Sequence, residues 1–541
     1  MTGKSSSSSH LVSALIPLVL SAAAINAAAA PVQTEKPNII MVLLDDVGTG
    51  WIPPYAERLT PEQLEPEILA DYAKQRTDGV PVSREKHLDA ARRCMPFLSS
   101  LARDGAVFGN CFATASLCAP SRAGLLTGTF QQRWGAYSNM DVDRNGVPAS
   151  RVMLAESLSA AGYRCGIIGK WHVAMKDPAL RQHTLAYQTS SHPGQHPLDR
   201  GFGYYFGFNN SASSYYEAKG LWENRSPVPL RPKGEFLTDL FNRKACEFVE
   251  TALKAKQPLF LYYAPMTLHD PIVAPPERYV RPFDTGVKFS DEYAGHLLAL
   301  DEGIRKLFAL LTHYGQQTNT LFILSSDNGC AQYSVPPHNA PNRGGKGTGW
   351  LGGLNVPLIV WQPGVVKPGR PEGIVSLADL MPTVLASAGV AVPANIDGKN
   401  LLPFLRGETA RAPRDSLGSC GVHGWRWSYF YEAPDKTNRS NTSTPPLYAW
   451  WLEGDRLLLE ITPLQPNTIA GLPNGLPPRT LLYNLAADRQ QRHDCHEKEQ
   501  ELTRALRKNI QGWLREMAEP RSAAKEDYRL LRDGQGESRH K

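Results

Sequence analysis

The chain has 541 residues, of which 42% are hydrophobic and 20% are charged, a composition typical of a globular protein with a large core. The formal net charge is only +6, and the lysines and arginines are scattered, so nothing in the composition favours nucleic-acid binding. At this length we expect one large domain and a smaller one.

The first thirty residues differ from the rest in composition. Lys4 provides a positive charge, residues 10–25 are largely apolar, and alanines fill positions 27–30. This order is typical of a removable signal peptide over residues 1–30, because the apolar stretch is short for a membrane span. An uncleaved anchor is the alternative. No later segment is apolar enough to span a bilayer, so we expect a periplasmic or secreted mature protein.

Four apolar runs without polar alternation predict strands that are buried on both faces of a mostly parallel sheet. They lie within 37–46, 162–172, 259–265 and 320–326. Amphipathic patterns between them predict helices at 95–104, 153–161 and 238–256. Strands that alternate with helices indicate an α/β fold with helices flanking a central sheet.

Two further parts of the chain have a composition of their own. Residues 182–224 are rich in Gly, Ser, His and Tyr, and we interpret them as a long surface excursion of the kind that often carries function. Beyond residue 408, β-rich runs at 425–431, 447–452 and 456–461 predict a small antiparallel sheet, and 499–517 predicts a closing amphipathic helix. We therefore expect a catalytic domain at 31–408, a subdomain at 409–518 and a disordered tail at 519–541.

Two pairs of oxygen-bearing residues each follow an apolar strand, Asp45-Asp46 and Asp327-Asn328. Each pair alone could be a solvated or helix-capping pair. Because chemistry in parallel sheets collects at the carboxyl ends of the strands, both pairs together predict a site for a hard cation such as Ca²⁺ or Mg²⁺. The eight cysteines show no spacing typical of a zinc site.

The segment Cys118-Ala119-Pro120-Ser121-Arg122 continues to Thr127-Gly128. By itself it could be a buried cysteine before a helix. It resembles the sulfatase signature C-x-P-S-R-x-x-x-x-T-G, and the resemblance extends from residue 37 to about 490. Other matching segments are Gly169-Lys170-Trp171-His172, Arg200-Gly201-Phe202, Asp327-Asn328-Gly329, Gly345-Lys346-Gly347 and Trp350 to Pro357, in which Leu351 and Asn355 replace the common Glu and Arg.

The resemblance implies an alkaline-phosphatase-like fold and a set of residue roles. A maturation enzyme would oxidise Cys118 to formylglycine (3-oxoalanine), the nucleophile. The resemblance implies that Ca²⁺, with Mg²⁺ less expected, is bound by Asp45, Asp46, Asp327, Asn328 and the modified Cys118. It implies that Arg122 stabilises the formylglycine and that His172 contacts its second hydroxyl. It also implies that Lys170, Lys346 and His269 bind the sulfate, and that His269 protonates the leaving oxygen. The residues just before His269 depart from the usual family context.

We therefore expect a sulfuric ester hydrolase that acts on a sulfated carbohydrate, of the glycosaminoglycan or mucin type. Export, the 182–224 excursion and the aromatic residues Trp222 and Trp425 favour a sugar-binding cleft. An arylsulfatase fits the core motifs equally well. A phosphate or phosphonate ester hydrolase of the same superfamily and a non-catalytic glycan-binding protein are the other hypotheses.

Overall fold

The computed structural model describes residues 36–519, with the exception of 65–68, 70–76, 78, 80, 183, 218, 230–233, 332–335, 423–446 and 462–478. The predicted signal peptide, the predicted strand at 425–431 and the tail after Glu519 lie outside these residues. Within the described part of the chain, no helix combines the length and the apolar composition that crossing a membrane requires.

A ten-stranded sheet carries the site. Its strands are β1 (Asn38–Leu44), β2 (Ala106–Phe112), β3 (Arg164–Lys170), β4 (Tyr204–Phe208), β5 (Trp222–Glu223), β6 (Ser226–Pro227), β7 (Leu259–Ala264), β8 (Thr320–Ser326), β9 (Asn355–Trp361) and β10 (Val375–Ser376). Their order across the sheet is β10-β2-β9-β8-β1-β7-β3-β4-β5-β6. β8, β1, β7, β3 and β4 are parallel neighbours, whereas β9 and β5 run antiparallel to the strands beside them. The predicted mixed, mostly parallel sheet is confirmed.

Helices flank this sheet. They are α1 (Pro53–Ala56), α2 (Arg84–Arg93), α3 (Pro96–Arg103), α4 (Cys118–Thr127), α5 (Asn139–Asn145), α6 (Leu154–Ala160), α7 (Thr184–Thr189), α8 (Leu237–Lys254), α9 (Glu277–Val280), α10 (Lys288–His313), α11 (Leu351–Leu354), α12 (Leu380–Ser387) and α13 (Leu402–Leu405). The three helices that the amphipathic patterns predict correspond to α3, α6 and α8, with each end within two residues of the prediction.

The central strand β1 is buried on both faces, as its unbroken apolar sequence predicts. Ile40, Val42 and Leu44 belong to one apolar cluster, and the alternating residues Ile39, Met41 and Leu43 belong to another. Successive side chains of a strand point to opposite faces, so the two clusters lie on the two sides of the sheet. This packing fixes the end of β1, and with it the position of the acidic pair that follows.

A second, antiparallel sheet contains β11 (Ser416–Val422), β12 (Leu447–Glu453), β13 (Arg456–Ile461) and β14 (Arg479–Asn484), in that order. Trp450 and Leu459 pack with Phe112, the last residue of β2, and with Trp350. On the other face, Leu458 meets the closing helix α14 (Gln500–Glu516), whose buried residues include Leu506, Ile510 and Leu514. The predicted small sheet and its helix are confirmed, while the domain boundaries stay predictions.

Candidate active site

The two oxygen-bearing pairs lie side by side at the carboxyl ends of β1 and β8. These strands are parallel neighbours, and Leu44 is in register with Ser326, so Asp45-Asp46 and Asp327-Asn328 leave the sheet at the same level. The backbone N–H of Asp46 donates to Asp327 Oδ1 at 3.2 Å, and Asn328 Nδ2 donates to Asp46 Oδ1 at 2.7 Å. All four side chains are buried. The structure thus brings together the four residues that the sequence predicts to bind a metal.

The atoms around these pairs fit a hard divalent cation. Asp45, Asp46, Cys118 and His269 each place one potential ligand atom within 4.8 Å of the others. Asn328 Oδ1 is buried and accepts no hydrogen bond from any residue that the structure describes. A buried amide oxygen without a donor is costly unless another group, such as a cation, satisfies it. Several carboxylates with one amide oxygen form a donor set typical of Ca²⁺ or Mg²⁺.

Three cations balance the three buried carboxylates. Lys170 Nζ lies 2.8 Å from Asp45 Oδ2, and Lys346 Nζ lies 2.7 Å from Asp46 Oδ2. Arg122 Nη2 lies 2.7 Å from Asp327 Oδ2. Buried charges are costly unless they are paired, and here each carboxylate has its own partner. Because Lys346 is also 15% exposed, it can contact both the carboxylate cluster and a ligand that enters from solvent.

The helix α4 positions the predicted nucleophile at this cluster. Cys118 is its first residue, and Arg122 follows one turn later, so both side chains lie on the same face of the helix. Arg122 Nη1 also donates to the backbone oxygen of Lys170 at 3.3 Å, which joins α4 to the end of β3. Cys118 and Arg122 are both fully buried.

Opposing effects set the pKa values in the cluster. Burial raises the pKa of the Cys118 thiol, but Lys170, Lys346 and hydrogen bonds from His172 and His269 outweigh it and hold that pKa well below the usual value. Burial raises the pKa of Asp327 and Asp45 raises it further, while the ion pair with Arg122 lowers it and offsets part of this effect. A bound cation would favour the ionised form of Asp327. The surroundings of Cys118 therefore favour a negative charge at the nucleophile position.

The two histidines face Cys118 in different settings. His269 Nδ1 lies 2.7 Å from the backbone oxygen of Asp270, and its Nε2 lies 3.1 Å from Lys346 Nζ. Burial and Lys346 lower the pKa of His269, but Asp46 and Asp45 outweigh them, so the pKa is raised above its ordinary value. His172 has a φ of 51°, in the left-handed region that residues with a side chain seldom adopt, and it is almost fully buried.

Asp143 is a neighbour of the site that the sequence reasoning missed. Its Oδ1 lies 3.5 Å from His172 Nε2, and its side chain is 30% exposed. The residue belongs to α5, a short helix that the sequence analysis did not predict, and it carries no motif. Its helix is placed beside the nucleophile because Asn139 Oδ1 accepts from the backbone N–H of Ala119 at 3.0 Å. No signal in the sequence identifies this contact, which depends on tertiary packing.

The ten predicted site residues converge on one buried cluster, while their individual roles stay predictions. Cys118 is one of eight cysteines, and all eight are free thiols. Through Lys346, His269 and Asp143 the cluster is partly open to solvent. The arrangement can hold a divalent cation, bind a tetrahedral anion between lysines and deliver a proton to a leaving group.

The comparisons with known proteins agree with this geometry. The family model Sulfatase matches residues 37–390. The chain is 31% identical over 392 residues to the uncharacterized sulfatase YdeN of Escherichia coli (strain K12), and the alignment covers 71% of this chain and 68% of that protein. It is 31% identical over 453 residues to the N-acetylgalactosamine-6-sulfatase of Canis lupus familiaris, and the alignment covers 77% of this chain and 76% of that protein. Human arylsulfatase A is 29% identical to the chain over 408 residues, and the alignment covers 71% of this chain and 70% of that protein.

Solved structures show the same fold. The crystal structure of Ps i-CgsB in complex with k-i-k-neocarrahexaose has a TM-score of 0.68 at 23% identity, and the alignment covers 92% of this chain and 98% of that one. The structure of BT4656 in complex with D-glucosamine-2-N,6-O-disulfate has a TM-score of 0.62 at 18% identity, and the alignment covers 89% of this chain and 98% of that one.

Proposed function

Since the chain belongs to the sulfatase family and is therefore a sulfuric ester hydrolase, we propose that it removes sulfate from a sulfated carbohydrate through a formylglycine derived from Cys118. The observation that carries this proposal is the position of Cys118, which starts α4 beside the buried carboxylates and faces Lys170 and Lys346. The same cations that lower the pKa of the thiol would stabilise an oxyanion at that position.

The modification of Cys118 is part of the proposal. A maturation enzyme would convert the thiol to an aldehyde, and the hydrated aldehyde supplies an oxygen nucleophile from which sulfate can later leave by elimination. Arg122, held by Asp327 and by the backbone oxygen of Lys170, would keep this group oriented from one helical turn away. His172, which helps to lower the pKa of the Cys118 thiol, would hold the second hydroxyl and accept its proton.

The remaining side chains would bind and protonate the substrate. Lys170 and Lys346 would hold sulfate oxygens, because their ammonium groups already flank Cys118. His269 has the exposure and the hydrogen-bonded Nδ1 that suit a general acid, and its Nε2 would give a proton to the leaving alcohol oxygen. General acid catalysis of this kind contributes roughly 10²–10⁴-fold to the rate.

We propose Ca²⁺ as the resident cation, bound by Asp45, Asp46, Asp327, Asn328 and an oxygen of the modified Cys118. A bound Ca²⁺ would neutralise charge on the sulfate oxygens. Three carboxylates and an amide oxygen supply more protein ligands than Mg²⁺ usually accepts, because Mg²⁺ tends to keep several waters and one or two carboxylates. The orphaned Asn328 Oδ1 supports the assignment of this residue as a ligand.

The similarity to N-acetylgalactosamine-6-sulfatase supports a sulfated sugar as substrate. The test is a panel of sulfated monosaccharides and disaccharides of defined position, including N-acetylgalactosamine 6-sulfate, with sulfate release measured in Ca²⁺ and in chelator. We expect release from at least one sugar sulfate, and a loss of that release in chelator. Turnover of aryl sulfates without turnover of any sugar sulfate would favour the arylsulfatase alternative, which the similarity to arylsulfatase A supports.

A phosphate or phosphonate ester hydrolase is the second candidate, because the cationic pocket around Cys118 could bind either tetrahedral anion. Rates on an aryl sulfate, an aryl phosphate and an aryl phosphonate with the same leaving group separate the two candidates. We expect the sulfate to be hydrolysed fastest. A large preference for the phosphonate would contradict the proposed substrate class.

We also propose that residues 1–30 direct export and are removed. Sequencing of the mature amino terminus, in protein taken from the native host, should find a start near residue 31. A mature protein that begins at Met1 would favour the uncleaved anchor.

A further inference from the structure

His269 lies in an irregular loop, and two separate sets of hydrogen bonds hold that loop. The loop follows β7, and the backbone N–H of His269 donates to Met266 oxygen at 2.6 Å, which closes a tight turn. On the side of the metal cluster, Leu268 N–H donates to Asp45 oxygen at 2.7 Å, and Asp45 N–H donates to Thr267 oxygen at 2.9 Å. These two bonds fasten the middle of the turn to the end of β1.

Tyr215 holds the outer ends of the same turn. Its hydroxyl lies 2.9 Å from the backbone oxygen of Met266 and 3.1 Å from the backbone oxygen of His269. A phenol has one proton, so the two carbonyl oxygens share it as a bifurcated hydrogen bond. The hydroxyl therefore connects the first and last residues of the turn, and its contact with His269 is at the backbone of the proposed acid.

Tyr215 is itself rigidly placed. It is 2% exposed, and the centroid of its ring lies 4.5 Å from the ring centroid of His296 and 6.0 Å from that of Phe236. Its backbone oxygen accepts from the N–H of Leu237, at the start of α8, at 2.7 Å. A buried tyrosine whose ring and backbone are both fixed can define the position of the loop that it contacts.

We propose that Tyr215 is a positioning residue for His269, an inference that rests on the proposed function. In the step concerned, the nucleophile oxygen bonds to sulfur as the bond from sulfur to the ester oxygen breaks. The electron pair of that bond stays on the ester oxygen, which takes the proton from His269 Nε2. Because Asp45 still holds Thr267 and Leu268 when the Tyr215 hydroxyl is removed, the cation cluster keeps its geometry and only the proton donor shifts.

The test is Tyr215→Phe on a series of substituted phenyl sulfates, from 4-nitrophenyl sulfate to esters of less acidic phenols. The constant kcat/KM covers the steps through cleavage of the ester bond. We expect a loss of roughly tenfold to a hundredfold for the least acidic phenol, the scale that a small misplacement of a catalytic group produces. For 4-nitrophenyl sulfate, whose phenolate leaves without a proton, we expect a change within about twofold, because general acid catalysis contributes little there.

Two variants calibrate this result. His269→Ala should show the steep dependence on leaving-group acidity that marks the loss of the acid. Tyr216→Phe is the matched control, since the Tyr216 hydroxyl donates to Ala274 oxygen of the same loop at 2.7 Å, five residues beyond His269. Tyr216→Phe should keep the wild-type dependence. Thermal unfolding of each variant establishes that it is folded.

The outcomes separate the inference from the function on which it rests. A folded Tyr215→Phe enzyme that loses the same factor on every ester, or loses nothing, would overturn the positioning role while the sulfatase function stands. Wild-type protein that carries the modified Cys118 and hydrolyses no sulfate ester would overturn the proposed function and the inference together.

Discussion

Replacing Lys170 by methionine removes one charge from the buried cluster and keeps most of the side-chain volume. The Lys170 and Asp45 side chains are both 0% exposed, with Nζ 2.8 Å from Oδ2. Loss of one partner of a buried ion pair lowers the free energy of unfolding by about 3–5 kcal/mol, because the other charge stays buried without its partner. Arg122 Nη2 remains 3.5 Å from Asp45 Oδ1, so we expect the lower end of this range, about 3 kcal/mol.

The pH dependence of this effect follows from the pKa of Asp45. Burial raises that pKa, but Lys170, His269 and Arg122 outweigh burial and lower it below the ordinary value. A carboxylate whose folded pKa is lowered contributes stability above its unfolded pKa of about 3.9, and this contribution is lost as the pH falls through the folded value. The stability difference between wild type and Lys170→Met should therefore be largest near neutral pH and should shrink in acid.

Urea unfolding at neutral pH, in chelator and in Ca²⁺, measures the effect. Ca²⁺ should restore more stability to Lys170→Met than it adds to wild type, because the cation compensates the carboxylate that Lys170 no longer balances. Lys244→Met is the matched control, since Lys244 lies 2.9 Å from Glu223 at a partly exposed position. Such a pair contributes about 0–1 kcal/mol. Equal losses of stability in the two variants, or an equal gain from Ca²⁺ in Lys170→Met and wild type, would show that Lys170 does not balance the charge of Asp45.

Three other predictions concern the proposed metal, the second histidine and Lys346. In scanning fluorimetry, Ca²⁺ should raise the melting temperature of wild type, and Asn328→Ala should lose most of that shift. The control is Asn242→Ala, at a buried asparagine that donates to Ala299 oxygen at 2.9 Å, which should lower stability and keep the Ca²⁺ shift. Asp143→Asn should lower kcat about tenfold with KM nearly unchanged, as loss of a supporting contact commonly does, and an unchanged kcat would reject a role through His172. Lys346→Ala should lower kcat/KM for sulfate esters by roughly 10²–10³-fold in sulfate-release assays, and a loss below tenfold would contradict its place at the sulfate.

The position of the two oxygen-bearing pairs could be predicted from the sequence because each follows an apolar run that is buried on both faces of the sheet. The runs before Asp45 and Asp327 have no polar alternation, which indicates parallel strands, and neighbouring parallel strands deliver their following residues to one edge. The Cys118 motif was equally informative, because its spacing is fixed along one helix. In these places local pattern and tertiary position agree.

Other features depend on contacts between distant segments and left no pattern in the sequence. Asp143 reaches His172 from a short helix. Tyr215 reaches the His269 turn from the segment 182–224, which was interpreted as a long surface excursion although it also contains the buried strand β4. The strand β11 was missed because Gly418 and Gly421 interrupt its apolar sequence. That β9 runs antiparallel between β8 and β2 was likewise not predictable, because the direction of a buried strand does not change its composition.

The dependence of hydrolysis on a modified Cys118 is tested by measuring, in one preparation from the native host, the mass of the peptide that carries Cys118 and the rate of sulfate release. We expect that Cys118 has lost its thiol and gained an aldehyde, and that activity rises in proportion to the modified fraction across preparations. A preparation that hydrolyses sulfate esters at full rate while Cys118 keeps its thiol would contradict a formylglycine nucleophile.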